Sequence, residues 1–149
     1  QKVRSLVYVA AFAPDAGQAV KDLGKQYPAP SGTKDIAADK NGFLYMTAQG
    51  MTTGFAQDLP AAQTAVMTST QGPIRAAAFE DKTSAAAWKG KPSWYVVARE
   101  DRMIQPDLQR DFAKKIKAQV TEVESSHVPQ QSRPADVAKV IIDAVHSTK

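Results

Sequence analysis

Five apolar residues, Trp94–Ala98, run directly into three charged ones, Arg99, Glu100 and Asp101. An unbroken apolar run of this length is typical of a strand buried on both faces, which occurs mainly in parallel sheets covered by helices. A second run, Val3–Ala11, shows little alternation after Leu6. The two runs predict an α/β fold with a parallel sheet. Such sheets place their functional residues at the carboxyl ends of the strands, where Asp101 stands.

Three segments after residue 101 predict the remaining core elements. Residues 107–119 predict an amphipathic helix, and residues 120–124 predict a half-exposed strand. A final helix is predicted to begin at Arg133-Pro134. The apolar residues that recur at helical spacing in these two helices are Leu108, Phe112, Ala113, Ile116, Val137, Val140, Ile141 and Val145.

The block between the two apolar runs has a different character. Residues 39–42, Asp-Lys-Asn-Gly, are a turn signal, and residues 43–47 predict a short strand. Weak helical patterns cover four further ranges, 16–26, 52–59, 60–69 and 73–88. Because this block is rich in small residues and weakly periodic, we interpret it as a mostly helical cap inserted over the sheet.

Composition excludes several classes of protein. The 149 residues fit one domain, and the net charge of +4 comes from basic residues interleaved with acidic ones, which argues against a nucleic-acid partner. No apolar run approaches the roughly 20 residues of a membrane span. The lack of cysteine rules out disulfides, thiolate metal sites and a cysteine nucleophile, and leaves the cellular compartment open. No metal-ligand spacing, phosphate loop or dinucleotide motif is present, so no cofactor is expected.

Asp101 and His127 are the candidate catalytic residues. They follow two successive strands, so both are expected at the same edge of the parallel sheet. A carboxylate there can accept the Nδ1 proton of the histidine, which leaves Nε2 to act as a general base toward a hydroxyl. Two alternatives stay open at this point: Asp101 caps the helix that starts near Pro106, or His127 is an ordinary loop histidine.

Three segments in this order resemble the C-terminal half of an α/β-hydrolase: Val3–Asp15, Pro92–Gln109, and Ser126-His127 followed by Arg133-Pro134. The most similar group is that of the small esterases related to plant methyl-ester esterases and hydroxynitrile lyases, with their bacterial relatives. The resemblance implies core elements at residues 1–15 and 91–149, with a cap region at 16–90. It implies that Asp101 is the acid of a catalytic triad and His127 its base.

The nucleophile of such a triad is missing from the chain, because there is no Gly-x-Ser-x-Gly. Neither Ser31 nor Ser126 is expected on a strand-to-helix elbow. The resemblance places the serine and the main oxyanion donors upstream of Gln1, and the abrupt start in an apolar strand suggests a piece of a longer polypeptide. We therefore expect the N-terminal half of the hydrolase, as a separate chain or a cleaved segment, to be the partner that carries the serine. Self-association of this chain stays open.

The expected activity is serine-dependent hydrolysis of a small ester. Hydroxynitrile lyases of this group carry a lysine directly after the triad histidine, and Val128 occupies that position here, which favours ester hydrolysis over cyanohydrin cleavage. The alternative is a non-catalytic module of the same fold that binds a small molecule. The candidates for an apolar pocket lining are Phe12, Phe43, Phe55, Phe79 and Met46, although most of them are expected to belong to the core of the cap.

Overall fold

The computed structural model describes residues 2–147. Its six strands are β1 (Leu6–Val9), β2 (Ile36–Ala38), β3 (Phe43–Met46), β4 (Ile74–Arg75), β5 (Ser93–Ala98) and β6 (Gln119–Val123). Its helices are α1 (Ala48–Gly50, continuing as a π-helical turn over Met51–Phe55), α2 (Ala61–Thr70), α3 (Pro106–Lys115), α4 (Pro129–Ser132) and α5 (Pro134–His146). Among the described residues, no helix is both long and apolar enough to cross a membrane.

The core is a parallel sheet in the order β1-β5-β6. The central strand β5 pairs with β1 from Leu6↔Ser93 onward and with β6 up to Ala98↔Val123. Every residue of β5 is buried, which explains the unbroken apolar run in the sequence. The predicted α/β fold class with a parallel sheet is confirmed.

Helices cover both faces of this sheet, and alternate residues of β5 point to opposite sides. Tyr95 and Val97 pack with the apolar face of α3, whereas Trp94 and Val96 pack with α5. The four apolar residues predicted for the buried face around α3 are all buried: Leu108, Phe112, Ala113 and Ile116. The helix ends at Lys115, earlier than the predicted residue 119.

The buried face of α5 differs from the prediction at two positions. Val137 and Val140 are buried as expected, but Ile141 and Val145 are 45% and 54% exposed. Ala144 is buried in their place because the methyl side chain allows α5 to approach the sheet closely. The apolar spacing alone could not distinguish these positions.

The middle block contains a small antiparallel sheet in the order β2-β3-β4, together with α2. The predicted turn at residues 39–42 is present, since Asp39 Oδ1 accepts hydrogen bonds from the backbone of Asn41 at 2.8 Å and of Phe43 at 2.9 Å. The predicted helix at 60–69 corresponds to α2. The pattern at 52–59 belongs to a helical segment that begins earlier, at α1, and ends with the π-helical turn.

Two of the four predicted helices in this block are wrong. Residues 16–26 form only a 3-10 turn at Val20–Asp22, because Gly17 and Gly24 have φ values of +83° and +77° that no α-helix contains. Residues 73–88 form β4 and two 3-10 turns. The backbones of the two segments hydrogen-bond to each other instead.

An ion cluster joins β6 to α3 and predicts an acid-sensitive contribution to stability. Arg110 binds both carboxylate oxygens of Glu122, at 2.9 and 2.8 Å, and Arg99 Nε lies 3.0 Å from Oε2. The hydrogen bonds from Arg110, more than those from Arg99, lower the pKa of Glu122 to about 2. A carboxyl with a folded pKa below its unfolded value stabilises the fold above about pH 4.3, and this contribution is lost as the pH falls toward 2.

We therefore expect Glu122→Gln to lower the free energy of unfolding by about 1 kcal/mol at pH 7 and to flatten its decline between about pH 4.5 and 2. Urea unfolding at several pH values measures this. The control is Glu124→Gln, because the Glu124 side chain is 55% exposed and, among the residues that the structure describes, forms an ion pair only with Arg99 Nη1, at 2.6 Å. An equal effect of the two variants would contradict a special role for Glu122.

Candidate active site

Asp101 is held in a fully buried position immediately after β5. The backbone N–H groups of Arg99 and Glu100 donate to the carbonyls of Val123 and Ser125, which extends the pairing beyond β5 and β6. The chain then turns at Asp101. The side chain of Asp101 has no exposed surface. Its Oδ1 accepts hydrogen bonds from the backbone of Met103 at 2.7 Å and of Ile104 at 3.0 Å. These contacts fix the carboxylate in the loop before α3.

The second oxygen of Asp101 faces His127. The distance from Asp101 Oδ2 to His127 Nδ1 is 2.8 Å. The structure thus brings the two predicted residues together at the carboxyl ends of β5 and β6. Asp101 does not cap α3, since the N-cap residue of that helix is Gln105, without a side-chain hydrogen bond. His127 lies in a loop, and its imidazole is 21% exposed. The roles of Asp101 and His127 in catalysis stay predictions.

The ring of His127 lies against a side chain of the middle block. The Phe55 ring packs edge-on with its centroid 5.0 Å from that of the imidazole. Since Nδ1 is directed at Asp101, Nε2 is the ring nitrogen left for a reacting group. A histidine oriented in this way can act as a general base.

Asp58 holds the backbone of the loop that carries His127. Its Oδ2 accepts a hydrogen bond from Ser126 N at 2.9 Å. Burial alone would raise the pKa of Asp58, but hydrogen bonds from the Ser126 side chain and backbone lower it below its ordinary value. On the other side of the loop, Ser125 Oγ lies 2.7 Å from Ser132 Oγ. Ser125 and Ser126 are both fully buried, and their hydroxyl groups are engaged in these hydrogen bonds.

Gln109 is a site residue that the sequence analysis missed. It is completely buried in α3, and its Nε2 donates to Asp101 Oδ2 at 2.7 Å and to the carbonyl of Ile104 at 2.9 Å. Its Oε1 accepts from Ala98 N, at the end of β5, at 3.0 Å. The available signal was its position: three residues before Phe112, it is a polar residue on the buried face of the helix.

A cavity of about 800 Å³ extends from His127 between the core sheet and the middle block. Most of its lining is apolar. Phe12, Phe55, Phe79 and Met46 line it, whereas Phe43 instead stacks against the guanidinium of Arg75 at 5.3 Å. Within residues 2–147, no cluster of three or more His, Asp or Glu side chains is arranged to hold a metal ion. The site therefore consists of an oriented imidazole at the edge of an apolar cavity.

A carboxylate after one parallel strand and a histidine after the next, beside a covered cavity, is an arrangement that α/β-hydrolases share. Residues 2–140 match the model of the alpha/beta hydrolase family, and the chain belongs to that family. The fold class and the family resemblance predicted from the sequence are confirmed. A search of curated proteins found no significant match.

Several solved structures share this fold. Polyneuridine aldehyde esterase superposes with a TM-score of 0.76 at 16% identity, covering 95% of this chain and 62% of its own. A pyrethroid hydrolase superposes with a TM-score of 0.76 at 20% identity, and the match covers 99% of this chain and 62% of the hydrolase. A methylesterase from Arabidopsis superposes with a TM-score of 0.72 at 18% identity, and the match covers 97% of this chain and 60% of the methylesterase. The chain spans about 60% of the length of these structures.

Proposed function

We propose that this chain supplies the acid and base of a serine-dependent esterase, together with the cap over its pocket. The observation that carries the proposal is the 2.8 Å contact between the buried Asp101 carboxylate and Nδ1 of His127, at the edge of an apolar cavity. Hydrolysis of an ester by a serine needs such a pair, since the hydroxyl must lose its proton as it attacks the carbonyl carbon.

In this mechanism His127 Nε2 accepts the proton of the serine hydroxyl while the serine oxygen bonds to the ester carbonyl carbon. The imidazolium that forms is stabilised by Asp101, which stays ionised. The proton then passes to the departing alcohol oxygen as the ester bond breaks. In the second half of the cycle, His127 takes a proton from the water that attacks the acyl-serine. It returns this proton to the serine oxygen as the bond to the acyl carbon breaks and the acid leaves.

We propose that the serine comes from the N-terminal half of the hydrolase, in a separate chain or in a segment that precedes Gln1. Two surfaces support this partner. Within residues 2–147, β1 pairs only with β5, so one edge of a half-buried strand is open. On the neighbouring helix α5, Ile141 and Ile142 are 45% and 52% exposed. Further strands beside β1 would pair that edge and bring a second apolar layer against these side chains.

The residue after His127 supports ester hydrolysis over cyanohydrin cleavage. Val128 is buried in an apolar cluster with Met46, Met51 and Ala56. No ammonium group stands there to stabilise a cyanide leaving group. Residues 16–90 act as the cap in this proposal, because most of the residues that line the cavity belong to that range.

A fluorophosphonate probe tests the proposal on the natural product of the gene. We expect one serine upstream of Gln1 to be labelled, as shown by peptide mass spectrometry, and His127→Ala to abolish the labelling. His146→Ala is the matched control, because His146 is exposed at the end of α5. A labelled serine within residues 1–149, or labelling that survives His127→Ala, would contradict the proposal. No labelling of any preparation would favour the alternative, a non-catalytic module that uses the cavity to bind a small molecule.

A further inference from the structure

All four methionines of the chain line the cavity. They come from four different places: Met46 ends β3, Met51 lies in the π-helical turn, Met67 is in α2, and Met103 is in the loop after Asp101. Methionine side chains are unbranched and polarizable, so they adapt to differently shaped apolar groups. A wall built from all of them is suited to bulky apolar ligands of more than one shape.

Three polar side chains of the lining, those of Thr33, Thr70 and Gln71, donate hydrogen bonds within the protein. Thr33 donates to the carbonyl of Pro30 at 2.7 Å, and Thr70 donates to the carbonyl of Val66 at 2.8 Å. The Gln71 amide is paired at both ends with the Met46 backbone, accepting from N and donating to O at 2.8 Å each. The donor hydrogens of these groups are thus used within residues 16–90.

The remaining polar lining residues, apart from His127, have substantial exposure. Lys21 carries the charge of the lining and lies 3.2 Å from Glu80, in an ion pair whose side chains are 50% and 63% exposed. Tyr45 is 42% exposed. A polar or charged group carried among the apolar lining residues would therefore lose its hydration and meet few free donors on the described part of the chain, which is unfavourable.

We infer that the esters of this site carry a bulky, uncharged, apolar acyl or alcohol group, bound between the four methionines. The inference rests on the proposed esterase function and specifies its substrate class. A volume of about 800 Å³ accommodates a drug-sized group, far larger than the acyl part of an acetate or the alcohol part of a methyl ester. The ester carbonyl lies next to His127 in this arrangement, and the apolar group extends under the cap.

The test uses ligand binding and does not require catalysis. The probe is 1-phenylheptan-2-one, the stable ketone analogue of phenyl hexanoate. The matched ligand is 6-oxo-7-phenylheptanoic acid, in which a carboxylate replaces the terminal methyl group. The complete hydrolase is labelled with carbon-13 at its methionine methyl groups, and the resonances of Met46, Met51, Met67 and Met103 are assigned by single Met→Leu replacements. We expect the neutral ketone to shift all four resonances and the carboxylate to bind on the order of tenfold or more weakly.

Met67→Lys places a charge in the lining, and Val66→Lys is its control. Both residues lie in α2, but Val66 is 62% exposed and does not line the cavity. Met67→Lys is expected to weaken ketone binding about tenfold or more, and Val66→Lys to leave it unchanged. Equal binding of the two ligands to the unmodified protein, or shifts that miss the methionines, would overturn the inference. Either of these outcomes together with normal fluorophosphonate labelling would refute only the substrate class. Preferential binding of the neutral ketone without any labelling would refute only the catalytic proposal.

Discussion

Asp101→Asn is expected to lower the turnover of the complete hydrolase by about three to four orders of magnitude. The amide is nearly isosteric, but it offers no negative charge to the imidazolium. With its NH2 group toward Nδ1, it would also force the opposite tautomer of His127. The buried carboxylate accepts four hydrogen bonds, two of them on the oxygen that faces the ring. Because an amide NH2 group cannot accept a hydrogen bond, asparagine cannot reproduce this set of contacts.

Initial rates of ester hydrolysis measure this effect, with Glu100→Gln as the control. Glu100 is adjacent in sequence but exposed, so its substitution should leave the rate within about twofold. Thermal unfolding of each variant separates loss of catalysis from loss of fold. A rate for Asp101→Asn within tenfold of the unmodified enzyme would contradict the assigned role.

Gln109→Leu is expected to have the largest effect on stability, with a loss of about 3 kcal/mol in the free energy of unfolding. The substitution leaves Ala98 N, the carbonyl of Ile104 and part of Asp101 without their partner in the interior. Because Gln109 also positions the carboxylate, turnover of the folded variant should fall about 10- to 100-fold.

Gln105→Leu is the matched control for that variant. Gln105 lies at the start of the same helix, and its side chain donates to the carbonyl of Pro28 at an exposed position. Its replacement should cost less than about 0.5 kcal/mol, since it leaves no buried group unpaired. Equal destabilisation by the two leucine variants, measured by urea unfolding, would refute the role given to Gln109.

The core sheet could be predicted because its central strand is apolar at every position after Ser93. The run Trp94–Ala98 predicted a buried strand. Because Asp101 and His127 follow two successive parallel strands, both were expected at the same edge of the sheet. The pairing of the acid and the base thus followed from topology. The depth of their burial and the hydrogen bonds that fix the carboxylate could not be predicted, because they depend on α3 packing across the end of β5.

The middle block was predictable only in part because its strands are two to four residues long and are stabilised by non-local pairing. Ile36–Ala38 and Ile74–Arg75 become strands only beside Phe43–Met46. Local propensity carries little information about such pairing. Gln109 was missed for a related reason: a glutamine in a helix is ordinary until the buried carboxylate beside it is known.

The central claim is that this chain holds the acid and base for a serine that lies outside it. Co-expression of residues 1–149 with the upstream half of the hydrolase, each on its own plasmid, tests it most directly through esterase activity. We predict that neither half alone hydrolyses an ester, that the two together do, and that His127→Ala in this chain abolishes the restored activity. Hydrolysis by residues 1–149 alone, or restored activity that does not depend on His127, would contradict it.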